Sequence, residues 1–135
     1  MEVSRSGGKL VVRLSRAAPV RGHRPSADVL FRSVARSVGS RSVGVILTGM
    51  GEDGAEGLSE IRAAGGHTLA QDEASSVVYG MPRAAIERGA VERVLSLPEI
   101  GSYLNSMEAR PAEERDSGKE PQEAKPAQGG STWSE

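Results

Sequence analysis

No cysteine occurs in this chain. That absence removes a disulfide frame, a thiolate nucleophile and any cysteine metal site. The two histidines, His23 and His67, stand far apart and do not make a zinc site. Neither a metal nor another cofactor is expected. Aromatic residues make up only 3%, namely Phe31, Tyr79, Tyr103 and Trp133. The core must therefore be packed by Val, Leu, Ile and Ala, and no stacking platform for single-stranded nucleic acid is available. Charge of one sign is missing as well, since 17 Lys and Arg face 18 Asp and Glu for a formal net charge of −1. That balance argues against nucleic acid or an anionic membrane as the main partner. No apolar run reaches the length of a membrane span, and the N-terminus lacks an apolar signal core. Membrane insertion is not expected, and a cytoplasmic location is the default.

What remains is the composition of one soluble domain with a modest core, 37% hydrophobic and 26% charged over 135 residues. Its most informative stretch is V-G-V-I-L-T-G-M-G-E-D-G, Val43 to Gly54. Val43, Val45, Ile46 and Leu47 lack an apolar/polar alternation. The spacing predicts a parallel strand covered on both faces and followed by a glycine-rich turn at the mouth of a helix. Such turns lie at the carboxyl edge of an open α/β sheet, where ligands and catalytic side chains gather.

Three roles are open to Asp53 in that turn. With Glu56 it has the D-x-x-E spacing of a capping box, in which each side chain satisfies an amide of the first helical turn. It also suits the orienting acid of a nucleophile, base and acid triad, with the glycines letting a backbone N–H approach an oxyanion. Finally, Gly49, Gly51 and Gly54 spell G-x-G-x-x-G, and Asp72 falls near the position of a ribose-binding acid. The nucleotide reading ranks last. Glu52 and Asp53 would face the pyrophosphate, and each like-charge contact near 4 Å costs roughly 1 to 4 kcal/mol.

Elsewhere, Lys9 to Leu14 reads as a short peripheral strand after the turn residues Ser6, Gly7 and Gly8. Arg24-Pro25-Ser26-Ala27-Asp28 opens a helix with Val29, Leu30, Val34, Ala35 and Val38 at helical spacing, ending near Gly39. A helix from about Asp53 to Ala64 stops at Gly65-Gly66. Thr68-Leu69-Ala70 is a strand, Gly80-Met81-Pro82 begins a helix closed by Gly89, and Val91 to Leu95 is the last strand. A final helix runs from Pro98 to about Met107. The alternation from Val43 onward predicts an α/β fold with a doubly wound, mostly parallel sheet and flanking helices. Residues 108–135 are polar, charged and rich in Pro and Gly. They are expected to form a disordered tail in which the lone Trp133 has no assigned role.

Four blocks carry a resemblance to a known family: H-R-P-S-A-D-V-L-F-R-S-V-A (His23 to Ala35), G-V-I-L-T-G-M-G-E-D-G-A-E-G-L (Gly44 to Leu58), A-Q-D-E-A-S-S-V-V-Y-G-M-P-R-A-A (Ala70 to Ala85) and G-A-V-E-R-V-L (Gly89 to Leu95). Together they resemble the catalytic domain of the chemotaxis protein-glutamate methylesterase, CheB. That family hydrolyses methyl esters of glutamate on the cytoplasmic helices of chemoreceptors, and some members deamidate receptor glutamines. The resemblance implies a hydrolase domain over residues 1–107 whose partner is the methylated receptor. It implies Asp53 as the triad acid and the backbone N–H of Met50 as an oxyanion donor, with Tyr79, Gly80, Met81 and Pro82 beside the site.

The chain matches the second half of that domain. The family's S-T-G-G-like serine turn and Q-H-like histidine segment have no counterpart in these residues. Ser6-Gly7-Gly8 is not preceded by an apolar strand that would hold a serine in a strained elbow, so it reads as a hairpin turn. His67 begins a strand and belongs at the amino edge of the sheet, away from Asp53. His23 lies where a loop enters a helix and can approach the site. Alone, the chain is expected to be inactive, as a truncated or split methylesterase awaiting its N-terminal half. The alternative is a non-catalytic binding domain that keeps the second half of the fold.

Overall fold

The computed structural model describes residues 1–19, 22–23 and 25–107. The expected tail at 108–135, Trp133 included, lies outside the described residues. Contacts divide the chain into two units, Met1–Ser96 and the part that begins at Leu97. In the second unit the described element is helix α4 (Leu97–Asn105), in which Ile100 is buried.

The first unit opens with an antiparallel hairpin of β1 (Glu2–Ser6) and β2 (Lys9–Arg13). Its turn residues Gly7 and Gly8 have φ of 59° and 83°. Two positive φ values make the tight hairpin turn whose twist suits the strands. β1 carries a single apolar residue, Val3, and has no alternation to announce it. Helix α1 (Ala27–Ser37) holds it in place: Val3 N–H donates to Ser33 Oγ (2.7 Å), and Ser37 Oγ donates to the Val3 carbonyl (3.0 Å).

A 3-10 turn (Gly39–Arg41) leads from α1 to the parallel sheet. Its strands β3 (Val43–Ile46), β4 (His67–Gln71) and β5 (Arg93–Leu95) lie in the order β3-β4-β5. Helix α2 (Ala55–Ala63) joins β3 to β4, and α3 (Gly80–Glu87) joins β4 to β5. Two successive crossovers of the same hand put both helices on one face. There α1 packs against α2, and α2 against α3. The core is the seam beneath them, built from Ile46, Ala55, Leu58, Ile61, Ala70, Ala85 and Ala90. Gly44 allows this close approach, since a Cβ there would lie 2.6 Å from Leu58 Cδ1. The fold is the α/β arrangement expected, with a parallel sheet and flanking helices.

Two expectations need correction. β3 is not equally covered on its two faces: Gly44 and Ile46 are buried, Val43 and Val45 are half-buried, and Leu47 is 42% exposed. An unbroken apolar run does not distinguish a central strand from this one, which stands at an edge of the described sheet. Helix α2 starts at Ala55 rather than Asp53 because Gly54 adopts a left-handed φ of 102°, which cannot continue a helix toward the N-terminus. Among the described residues, no helix is long and apolar enough to cross a membrane.

Candidate functional site

The acidic turn leaves β3 at its carboxyl end and runs from Leu47 to Gly54, where it meets α2. Asp53 is 8% exposed, and its carboxylate caps a helix, though not its own. It reaches the N-terminus of α1. Ser26 Oγ donates to Oδ1 (2.8 Å), Ala27 N–H donates to Oδ2 (2.6 Å), and Asp28 N–H donates to Oδ1 (3.2 Å). Asp28 returns the favour to α2. Its Oδ1 accepts from Gly54 N–H (3.1 Å) and Gly57 N–H (2.7 Å). Two helices thus exchange caps, each with its orphan amides satisfied by a carboxylate at the start of the other.

The D-x-x-E box read within Asp53 to Glu56 is therefore replaced by caps from across the α1–α2 contact. Glu56 instead joins a surface ion cluster with Arg32 and Arg88. The exchange needs the helices close together. Gly57 permits it, because a Cβ there would sit 2.8 Å from the Asp28 carbonyl oxygen and 2.7 Å from Phe31 Cβ.

Burial pushes the Asp53 carboxyl up, but the hydrogen bonds from Ala27, Ser26 and Asp28 outweigh it. With the charge of nearby His23, they hold the group below its ordinary value. Asp53 is an anion at neutral pH. Each carboxylate oxygen has roughly two acceptor directions. Among the described residues, those of Oδ1 are taken and one remains on Oδ2.

The rest of the turn is latched to the loop before α3. Thr48 N–H donates to Gln71 Oε1 (2.8 Å), and Gln71 Nε2 donates onward to the Ser75 carbonyl (2.8 Å). Thr48 Oγ1 accepts from Val78 N–H (2.8 Å). Gly49 N–H donates to the Val78 carbonyl (2.9 Å), while the Gly49 carbonyl accepts from Met81 N–H (2.8 Å). Gly80 is wedged against the turn, where a Cβ would lie 3.1 Å from both Gly49 O and Gly51 N. The Tyr79 to Pro82 segment therefore does lie beside the acidic turn. Met50 projects outward and is 80% exposed, and none of the hydrogen bonds among the described residues takes its N–H.

Of the histidines, His67 begins β4 with Nδ1 3.0 Å from Glu92 Oε1, at the amino edge opposite the acidic turn. His23 is exposed on the approach to α1. With Pro25, Ser26 and Val29 it lines a shallow depression. Ser26, the hydroxyl in contact with Asp53, donates to the acid. It is a support for the carboxylate and was not singled out from the sequence, although a serine and an acid at the mouth of an apolar-periodic helix were a visible signal. Gln71 was missed too, a buried amide at a strand end with both of its functions used. Among the described residues, no group of three or more His, Cys, Asp or Glu side chains could hold a metal ion.

An open parallel α/β sheet with a fixed carboxylate at its carboxyl edge is a recurrent frame for hydrolases. The relatives narrow that class. The family described as CheB methylesterase matches residues 1–104, and the chain belongs to it. It is 59% identical over 110 residues to protein-glutamate methylesterase/protein-glutamine glutaminase 2 of Pseudomonas aeruginosa, covering 82% of this chain and 32% of that protein. It is 62% identical over 111 residues to enzyme 1 of the same description from Caulobacter vibrioides, with the same coverage of 82% and 32%. The fold is similar to the crystal structure of the Thermotoga maritima CheB methylesterase catalytic domain, with a TM-score of 0.74 and 33% identity, over 76% of this chain and 55% of that one. The chain spans about a third of the length of these curated relatives.

Proposed function

We propose that this chain supplies the acid and the oxyanion donor of a protein-glutamate methylesterase active site. The serine nucleophile and the histidine base come from residues outside this sequence. In this reading the open acceptor direction on Asp53 Oδ2 receives the Nδ1–H of that imidazole. Nε2 is thereby left free to take the serine proton. The serine oxygen attacks the carbonyl of a glutamate methyl ester, and the Met50 N–H stabilises the tetrahedral oxyanion. The imidazolium returns its proton to the leaving methoxide, which departs as methanol. Water then opens the acyl-enzyme by the same route and restores the serine. A glutamine side chain would leave ammonia instead.

In this reading the substrate is the methylated cytoplasmic helix of a chemoreceptor; the names of the relatives support only its chemical class, a glutamate methyl ester or a glutamine side chain of a protein. The observation that carries the reading is Asp53 itself, ionised, fixed at the carboxyl edge of β3 and left with one acceptor direction open. An orienting acid works only through the imidazole it holds. Without serine and histidine, only about 10³ to 10⁴ over water would remain from an oxyanion hole and binding. The chain alone is therefore expected to be silent.

The test mixes it with a matching N-terminal half and follows methanol release from methylated receptor. Activity that appears on mixing and falls by about 10⁴ with Asp53→Asn supports the proposal. A silent mixture of two folded parts would contradict the proposal.

A further inference from the structure

We infer that Ser26 is a positioning residue for the Asp53 carboxylate, and that the first turn of α1 is a preformed cradle aiming that acid. The inference rests on the reading of Asp53 as the acid of the site. Ser26 occupies the N-cap position of α1 with extended backbone, φ −113° and ψ 136°, where a serine normally turns its oxygen back to its own helix. Here it makes no such bond. The hydroxyl, on a residue only 4% exposed, points the other way and donates 2.8 Å to Asp53 Oδ1.

The cap duty that Ser26 gives up is performed by Asp53 from across the helix contact, through Ala27 N–H and Asp28 N–H. A cap needs one acceptor oxygen, whereas this carboxylate takes three donors on two oxygens. The third, the Ser26 hydroxyl, adds nothing to the satisfaction of α1 amides. What it does is fill Oδ1 and add a third donor to a carboxylate that the two amides already hold by both oxygens, so that among the described residues the open direction is on Oδ2. A hydrogen bond from a buried hydroxyl to a charged oxygen is also among the stronger kinds.

Among the described residues, the titratable groups nearest the carboxylate are His23 on the loop before α1, Asp28 on α1 and Glu52 beside it in the turn. Arg32, one turn further along α1, is turned toward Glu56 and Glu60. Of these, only His23 favours the ionised form directly, and it is exposed. The hydrogen-bond cradle therefore carries most of the work of keeping Asp53 an anion.

The experiment uses the full chain, with Asp residues labelled in the carboxyl carbon, and titrates Asp53 by carbon NMR in the wild type, Ser26→Ala and Ser26→Thr. Alanine keeps the backbone and removes the donor, while threonine keeps the donor. The expected result is an upward shift of the Asp53 midpoint in Ser26→Ala and its return in Ser26→Thr, with amide spectra away from the α1 N-terminus unchanged. A midpoint in Ser26→Ala equal to that of the wild type would overturn the inference. Should Ser26→Ala fail to fold, the threonine variant decides: a wild-type Asp53 midpoint supports the inference, and a midpoint raised despite the retained hydroxyl overturns it.

In the mixture with the N-terminal half, Ser26→Ala is expected to lower kcat by roughly tenfold, the effect of about one charged hydrogen bond, and to leave KM unchanged. The titration needs no activity. A midpoint that moves while the mixture with the N-terminal half never turns over ester keeps the cradle and removes the hydrolase reading.

Discussion

Replacing Asp28 by alanine removes the cap of α2 and keeps the backbone N–H that holds Asp53, and the structure sets the size of the effect. Asp28 is fully buried, and its Oδ1 is the acceptor for Gly54 N–H and Gly57 N–H at 3.1 and 2.7 Å. Loss of a cap costs about 0.5 to 2 kcal/mol. That figure holds where water replaces the acceptor; where water cannot reach them, the two amides cost about 1 to 3 kcal/mol each instead. Partial access at a helix end brings the sum to roughly 3 kcal/mol. Asparagine keeps the accepting oxygen, and Oδ2 of Asp28 has no hydrogen-bond partner to lose, so Asp28→Asn should cost about 1 kcal/mol or less. Urea unfolding followed by circular dichroism reads both. With a slope near 1.5 kcal/mol/M, the midpoint should fall by about 2 M for alanine and by less than about 0.7 M for asparagine. Equal midpoints for Asp28→Ala and the wild type would refute the exchange of caps, and equal losses for the two variants would refute the role of the oxygen.

Gly57→Ala should destabilise by about 1 to 3 kcal/mol through overpacking against the Asp28 carbonyl and Phe31, read as a lower thermal midpoint. An unchanged midpoint would mean that α1 and α2 can separate freely. Because the folded Asp53 carboxyl lies below its ordinary value, its contribution to stability is complete above the unfolded value of about 4 and fades as pH falls through the folded one. Stability measured from pH 7 down to about 2 should therefore drop less steeply in Asp53→Asn than in the wild type, and parallel curves would contradict the shift. Gly80→Ala forces a Cβ to within 3.1 Å of Gly49 O and Gly51 N. It should shift the Met50 and Gly51 amide resonances, whereas an unaltered spectrum would show that the turn is not wedged there.

The parallel sheet was legible because its signals are local. Apolar runs ended in glycine, and Gly65 and Gly89 take the positive φ values, 93° and 77°, that close the preceding helices. The position of Asp53 at the carboxyl edge of β3 followed from the same strand, turn and helix order. Strand β1 was not legible, since Val3 is its only apolar residue and the side-chain bonds that fix it to α1 come from Ser33 and Ser37, 30 and 34 residues away. The exchange of caps was hidden for a related reason. In sequence, an acid at a helix start looks like a cap for that helix, and only the crossing of α1 over α2 at Gly57 puts each acid on the other's amides. Roles for His23 and Ser26 likewise depended on which loop faces which turn, a matter of tertiary packing rather than of spacing.

The claim that Asp53 orients an imidazole can be read directly by proton NMR of the chain mixed with its N-terminal half. An imidazole Nδ1–H bonded to a carboxylate gives a resonance far downfield of the amides. The account predicts that such a resonance, distinct from any that the His67–Glu92 pair gives in the chain alone, appears on mixing and vanishes with Asp53→Asn. A folded mixture without it, or one that keeps it in Asp53→Asn, would contradict the account.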